Sequence, residues 1–123
     1  SHEVKVAVEW WVKFLCRDEG APPVANAQKK IFGDILYKEL EFRCMYHWYP
    51  DNSERGSGYR SVSTDDKIDP SLMRAITEAQ IHVRCLPMQV LMFVNPGEVK
   101  VRPTYSPRSE ILYSCPKHAA QHL

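Results

Sequence analysis

Two Cys-x-x-His pairs are the residues best suited to metal chemistry. Cys44 and His47 form the first pair, and Cys115 and His118 form the second. Together they would supply enough ligands for one tetrahedral zinc ion. However, the first pair lies where we predict the end of a core helix and the second lies in a predicted tail, and neither has the glycine-containing knuckle of a zinc ribbon. We therefore predict no metal site and interpret the cysteines as small buried residues.

A second set of candidates consists of carboxylates that, with a histidine, could bind magnesium and activate water. Its members are Asp65, Asp66, Asp69, Glu98, His47 and His82. Each carboxylate has a simpler interpretation, because two of the aspartates lie in a predicted polar turn, Asp69 is a predicted helix N-cap and Glu98 begins a predicted strand. No nucleophile elbow, Walker loop or His-Glu-x-x-His motif is present. The sequence therefore predicts that the protein is not an enzyme.

A pair of glycines, Gly56 and Gly58, could wrap a phosphate group with backbone N–H donors. The pair precedes a predicted strand, whereas a dinucleotide fingerprint follows a strand and opens a helix. We interpret both glycines as requirements of a loop, and we predict no cofactor.

Aromatic side chains are concentrated at 46–49, beside a polar loop at 50–58 and close in sequence to Tyr59. Tyr and Trp supply large contact areas at a small entropic cost, so such clusters either fill a core or form a recognition surface. From spacing alone, both interpretations stay open.

Three helices are predicted to position these residues. Apolar side chains recur every three or four positions over 3–17 and again over 24–45, with a short loop between them, which predicts an antiparallel helix pair. A third helix is predicted over 70–80, with Asp69 as its N-cap and Pro70 in its first turn. The predicted buried stripe of the second helix is Ala27, Ile31, Ile35 or Leu36, Leu40 and Cys44.

The second half of the chain is predicted to be mainly extended. Alternating side chains predict strands over 59–63, 90–94, 98–102 and 111–113, with a turn at 95–97. The expected fold class is α+β, with the N-terminal antiparallel helix pair and the further helix packed on a small antiparallel sheet. We expect one domain over 1–115 and a C-terminal tail over 116–123.

The composition excludes several classes of protein. The chain has 123 residues, the size of one domain, and its formal net charge of +1 lacks the positive excess of a protein that binds nucleic acid through phosphates. No apolar run approaches the roughly 20 residues of a membrane span, so we expect no membrane partner. The 4 cysteines are far apart, which favours a reducing location, in the cytoplasm or the nucleus.

Two stretches of the chain resemble the signature boxes of the BTG/Tob anti-proliferative family. The first is His-Trp-Tyr-Pro at 47–50 followed by Gly-Ser-Gly-Tyr-Arg at 56–60, and the second is Leu-Pro at 86–87 followed by Phe-Val-Asn-Pro-Gly-Glu-Val at 93–99. The order and separation of the boxes agree with the family pattern. The chain is therefore identified as a divergent member, of the invertebrate Tob type.

The resemblance implies a non-enzymatic adaptor. Members of the family dock on the Caf-type deadenylase subunit of the Ccr-Not complex and bring it to mRNAs, which promotes poly(A) shortening and repression. By resemblance, this chain would restrain proliferation or direct germ-cell fate, as in a nematode germ line, and would reach mRNA only through partners. The residues that the resemblance assigns to partner binding are Tyr59, Phe93, Asn95, Pro96 and Glu98. The box residues that we interpret as structural are His47, Trp48, Pro50, Gly56, Gly58, Arg60, Leu86 and Pro87.

Two of the partner-binding positions depart from the family pattern. Phe93 replaces a tryptophan and loses the indole N–H donor, and Asn95 replaces an aspartate and loses its charge. These changes predict weakened deadenylase binding. We expect Tyr59 and Asn95 to be exposed, so Asn95→Asp should strengthen docking. The alternative function is a self-associating scaffold for ribonucleoprotein assembly, in which a sheet edge and the aromatic cluster pair protomers.

Overall fold

The computed structural model describes residues 1–16 and 20–115. The described residues form four α-helices, namely α1 (His2–Lys13), α2 (Asn26–Tyr46), α3 (Ser57–Arg60) and α4 (Pro70–Ala79). One 3-10 turn follows at Val83–Cys85. The strands are β1 (Val62–Ser63), β2 (Val90–Asn95), β3 (Glu98–Pro103) and β4 (Glu110–Ser114). The predicted α+β class is confirmed, and the predicted tail at 116–123 lies outside the described residues.

Helices α1 and α2 form the antiparallel pair that the sequence predicts. The amino terminus of Ser1 pairs with Glu41, in the second half of α2. At the other end of α1, Val12 lies against Gly33, in the first half of α2. The two contacts occur in opposite order along the two helices, which establishes their antiparallel direction.

The buried face of α2 differs from the predicted stripe at its N-terminal end. Its buried residues are Phe32, Leu36, Leu40 and Cys44. Ala27 and Ile31, which we predicted to be buried, are exposed. The buried row keeps a spacing of four residues, so its first-turn position is Gln28, which donates from its side-chain amide to the carbonyl of Gln80 at 3.0 Å. Because a polar residue begins the row, apolar spacing alone misplaces the start of the stripe.

Helix α4 begins and ends close to the predicted positions. The carboxylate of Asp69 accepts from the backbone N–H of Ser71 at 2.8 Å, which is the predicted N-cap. The same carboxylate accepts from the guanidinium of Arg43 at 2.9 Å, so the cap also joins α4 to α2. Met73, which we predicted to face the core, is 42% exposed.

The strand predicted over 59–63 is wrong in its first half. The helical turn α3 occupies Ser57–Arg60, and only Val62–Ser63 pairs as a strand. The guanidinium of Arg43 donates to the carbonyls of Tyr59 at 3.0 Å and Ser61 at 2.5 Å. These carbonyls are therefore satisfied by a side chain instead of a neighbouring strand, which the alternation of side chains does not reveal.

The sheet has the order β1-β2-β3-β4, and every neighbouring pair is antiparallel. Strands β2 and β3 are joined by the predicted turn, in which Asn95 pairs with Glu98 and Gly97 has φ +81°. A proline followed by a glycine with positive φ is typical of a type II turn. The N–H of Gly97 donates to the carboxylate of Glu3 at 3.1 Å, so the turn is attached to α1.

The two faces of the sheet have different environments. One face contributes buried side chains to the core: Val62, Met92, Val94, Val99 and Val101. The opposite face carries half-buried Leu91, Phe93 and Lys100, and Ile111, which is 51% exposed. This second face is called the outer sheet face below. Within residues 1–16 and 20–115, no helix combines the length and the apolar character needed to cross a bilayer.

Candidate protein-interaction site

A buried arginine joins the two sequence boxes. The side chain of Arg60 is only 1% exposed, although it belongs to the short helix α3. Its guanidinium donates to Val94 O at 2.8 Å and to Asn95 Oδ1 at 2.9 Å, both at the end of β2. The second box is thereby held directly against the first.

The remaining N–H groups of Arg60 fix the polar loop that precedes it. They donate to the backbone carbonyls of Arg55 at 2.7 Å and Ser53 at 2.8 Å, and to that of His47. A guanidinium has five N–H donors, and the five hydrogen bonds of Arg60 account for all of them. The loop from the end of α2 to α3 is therefore built around one side chain.

None of these five acceptors is a carboxylate. Burial is the main cause of the lowered pKa of Arg60, but an arginine stays charged in proteins. The positive charge is balanced by backbone carbonyl dipoles and by the amide oxygen of Asn95. An aspartate at position 95, as in the family pattern, would place a counter-charge at this point.

Tyr59 lies on the surface of the turn that Arg60 anchors. Its side chain is 65% exposed, as predicted, and its ring stacks on that of His47 with centroids 4.0 Å apart and an interplanar angle of 3°. The adjacent backbone is held by the hydrogen bonds from Arg43. Tyr59 is thus an accessible aromatic side chain on a well-supported backbone.

Phe93 and Glu98 belong to the outer sheet face. The Lys100 ammonium lies 5.6 Å from the centroid of the Phe93 ring and 3.7 Å from the carboxylate of Glu98. Glu98 and Lys100 each have 27% of the side chain exposed, so both can reach a partner. Aromatic and charged groups meet on this part of the sheet.

Asn95 and Pro96 are buried, so the predicted exposure of Asn95 is wrong. Asn95 is only 3% exposed, and it is the last residue of β2 with its side chain directed at Arg60. The turn pattern at 95–97 predicts a surface position. The amide is buried instead because it accepts from the guanidinium of Arg60, which belongs to the first box. A charge at position 95 therefore cannot be presented to a partner directly.

The other box residues have varied environments. Leu86 is buried, and the half-buried Trp48 packs on the core with its ring 5.7 Å from the Arg60 guanidinium. Pro87 accepts a hydrogen bond from the Thr64 hydroxyl at 2.8 Å. Pro50 is exposed.

The two glycines of the first box, Gly56 and Gly58, differ in whether the structure requires a glycine. Gly56 has φ +75°, and an added Cβ would lie 3.0 Å from Arg60 Nη1, so this position requires glycine. Gly58 faces open space, and the structure gives it no such requirement.

The metal and acid–base candidates are dispersed over the described residues. Burial raises the pKa of Cys44 to about 11, so its thiol is protonated at neutral pH. His118 lies outside the described residues, and within them no group of three or more His, Cys, Asp or Glu side chains is placed to share a metal ion. His82 accepts from the N–H of Arg84 at 3.1 Å, and Asp65 accepts from the hydroxyl of Thr104 at 3.1 Å.

Sequence reasoning missed two features of this region. The first is Arg43, whose bonds to Asp69 and to the turn around Tyr59 depend on tertiary contacts. The second is an exposed apolar row in the second half of α2, which consists of Tyr37, Phe42, Met45 and Tyr46. A search for apolar residues outside the predicted stripe would have found this row, because Phe42 and Tyr46 are separated by one helical turn.

Comparison with known proteins decides the family. The family model described as "BTG family" matches residues 1–113. The chain belongs to the BTG family. Among solved structures, the BTG/Tob domain of FOG-3 from C. elegans has the same fold, with a TM-score of 0.79 and 21% sequence identity over 98% of this chain and 94% of that one.

Relatives of this BTG-family chain occur in distant organisms. Human BTG2 is 30% identical over 105 residues, which cover 81% of this chain and 64% of the human protein. A BTG family protein of Dictyostelium discoideum is 35% identical over 103 residues, which cover 81% of this chain and 24% of that protein. The chain thus spans less than two-thirds of the length of these relatives.

The five hydrogen bonds of Arg60 generate a prediction about stability. Arg60→Lys should lower the free energy of unfolding by about 3 kcal/mol, because a lysine has three donors and would leave buried carbonyls unsatisfied. The matched control is Arg55→Lys at an exposed arginine, which should cost less than about 1 kcal/mol. Denaturant unfolding of both variants measures the difference. Equal effects of the two substitutions would contradict the central role of Arg60.

The missing counter-charge generates a second prediction. Asn95→Asp should raise the free energy of unfolding at neutral pH by about 1 kcal/mol, because the new carboxylate faces the Arg60 cation. That cation lowers the pKa of the folded-state carboxyl, so the gain is present above the unfolded value of about 3.9 and is lost as the pH falls through the folded one. Unfolding curves at pH 7 and at acidic pH measure the gain. A variant less stable than wild type at pH 7 would show that the carboxylate is not compensated.

Proposed function

We propose that this BTG-family chain is a non-enzymatic adaptor of the anti-proliferative class. It docks on the Caf-type deadenylase subunit of the Ccr-Not complex and brings that enzyme to mRNAs, where poly(A) shortening restrains proliferation or directs germ-cell fate. The observation that carries the proposal is that Arg60 fastens the two boxes together and leaves Tyr59 exposed beside them. A partner would meet residues of both boxes on one supported surface.

The chemistry of this surface suits recognition by shape. An exposed tyrosine that already stacks on His47 loses little conformational freedom when a partner covers it. On the outer sheet face, Phe93 adds apolar area, and the Lys100–Glu98 pair offers one charge of each sign to the rim of an interface. Phe93, Glu98 and Tyr59 are the accessible members of the predicted set.

The charge balance supports an indirect role toward RNA. A net charge of +1 over 123 residues provides little general attraction for phosphates, so selection of mRNAs is assigned to partner proteins. The role would be exercised in the cytoplasm, the nucleus or both. Buried Asn95 and Pro96 would act by shaping the surface from below, and not by contact.

Docking can be tested by titrating the domain with the Caf-type deadenylase. Tyr59→Ala and Phe93→Ala should each weaken binding by at least about tenfold, because each removes a large aromatic contact. The matched control is Tyr105→Ala, since Tyr105 is an 80% exposed tyrosine in the turn after β3. This control should bind as wild type does. Isothermal calorimetry or fluorescence anisotropy would measure the affinities.

Several outcomes would overturn this assignment. They are the absence of binding by the wild-type domain, binding that Tyr59→Ala leaves unchanged, and an equal loss in Tyr105→Ala. Shortening of poly(A) by the purified domain alone would contradict the non-enzymatic role. Contrary to the expectation from the sequence, Asn95→Asp should add no charge contact with the deadenylase, because the side chain of residue 95 is buried against Arg60.

A second candidate function, a self-associating scaffold, is favoured by the exposed apolar row of α2. Phe42, Met45 and Tyr46 are 61%, 65% and 63% exposed, and they line one end of the helix beside the first box. Contiguous exposed apolar side chains are typical of protein interfaces. Two copies of this row could pack against each other around a twofold axis.

Self-association predicts a mass that depends on concentration. If the row of α2 pairs protomers, light scattering of wild type should show a rise toward dimer mass over the micromolar range, and Phe42→Glu should abolish it because burial of a new charge is unfavourable. Met73→Glu is the matched control, since Met73 is an exposed apolar residue of α4. A monomer at all concentrations, or association that Phe42→Glu leaves intact, would exclude the scaffold.

A further inference from the structure

Two cysteines from distant parts of the chain lie side by side. Cys16 follows α1 and Cys85 ends the 3-10 turn, 69 positions later, yet their sulfur atoms are 2.7 Å apart. Both are thiols in the structure. The two sulfur atoms are thus in direct contact, which is the proximity that a disulfide bond between them would require.

The backbone around Cys16 holds this arrangement. Cys16 has φ +61°, a left-handed conformation that is unfavourable for a residue with a Cβ. Its N–H donates to the carbonyl of Cys85 at 2.8 Å, which fixes the two residues against each other. The carbonyl of Pro22 accepts from the Cys16 thiol at 2.8 Å and lies 3.4 Å from the sulfur of Cys85. Three segments of the chain therefore converge on the pair.

We propose that Cys16 and Cys85 are a redox modification site, which closes to an intramolecular disulfide when the protein meets a low-molecular-weight disulfide such as oxidised glutathione. The wide spacing of the cysteines along the sequence gives no indication of this site. Only the return of the chain after α4 brings Cys85 to the end of α1.

The reaction follows ordinary thiol–disulfide exchange. The half-buried Cys16, as a thiolate, attacks one sulfur of oxidised glutathione, which breaks the S–S bond and releases one glutathione thiolate. Cys85, as a thiolate, then attacks the Cys16 sulfur of the mixed disulfide and releases the second glutathione. The two protons lost by the cysteines are taken up by the two glutathione thiolates, and the oxidant has gained two electrons. Because Cys85 is only 2% exposed, Cys16 is the residue that meets the oxidant.

The bond would connect α1 to the start of the second box. Leu86 and Pro87 follow Cys85 directly, and the closed loop would contain the whole of α2 and the whole of the first box. A cross-link over so long a loop restricts the unfolded chain strongly, so the thermal midpoint of the oxidised form should rise by on the order of 10 °C. In a reducing compartment the thiol form dominates, so oxidation would act as a transient signal.

The test compares wild type with Cys16→Ser and Cys115→Ser in glutathione buffers of increasing oxidation. Cys115 is a half-buried cysteine next to β4, and it serves as the matched control. Free thiols are blocked under denaturing conditions, and non-reducing peptide mapping by mass spectrometry locates the linked pair. Wild type and Cys115→Ser should form the Cys16–Cys85 link and show the rise in thermal midpoint. Cys16→Ser should show neither.

Even if Cys16→Ser does not fold, peptide mapping of wild type shows whether Cys16 and Cys85 form a disulfide. Recovery of Cys16 and Cys85 as blocked thiols from the oxidising buffer would overturn the proposal. So would a stable glutathione adduct on Cys16 with Cys85 unreacted, or a link that joins Cys44 or Cys115 instead.

Discussion

Arg60 donates hydrogen bonds in several directions from inside the protein, and much of the candidate site depends on them. Its acceptors lie at the C-terminal end of α2, in the polar loop after α2 and at the end of β2. A buried cation is unfavourable unless all its donors are satisfied, and here every donor has an oxygen. The loop and the hairpin turn therefore take the positions that bring their carbonyls to this one side chain. Gly56 belongs to the same constraint, because a Cβ there would crowd the guanidinium.

This arrangement explains how a small domain presents an aromatic surface without exposing its core. The loop between α2 and α3 has few apolar residues of its own to pack, and a polar network inside it replaces the missing core. Tyr59 stands on the outside of that network, supported by the ring of His47 and by the bonds of Arg43 to the surrounding carbonyls. A side chain held in this way is suited to docking, since little of the binding free energy is lost in ordering it.

The position of Arg60 gives Asn95 a different role from the one that its sequence context predicts. By sequence it is a turn residue that has lost a charge from a contact surface, but in the structure it is an internal acceptor for a cation. Asparagine here supplies the hydrogen bond to Arg60 without the counter-charge that an aspartate would bring. Asparagine in place of an aspartate at this position thus bears on stability, because the side chain is buried against Arg60. Phe93 differs in this respect, because it lies on the outer sheet face where a partner can touch it directly.

The sequence by itself determined the α+β class, the antiparallel helix pair, the N-cap at Asp69 and the β2–β3 hairpin. Each of these depends on local spacing or turn chemistry, which a linear pattern contains. Tertiary structure alone decided the burial of Asn95, the helical turn at Ser57–Arg60, the start of the buried row of α2 and the meeting of Cys16 with Cys85. These features depend on partners distant in sequence, such as Arg43, 16 residues from Tyr59, for the turn and Gln80, 52 residues from Gln28, for the row. Hydrogen-bond donors and acceptors that are distant in sequence leave no periodic signal, so only the packed chain reveals which of them are satisfied together.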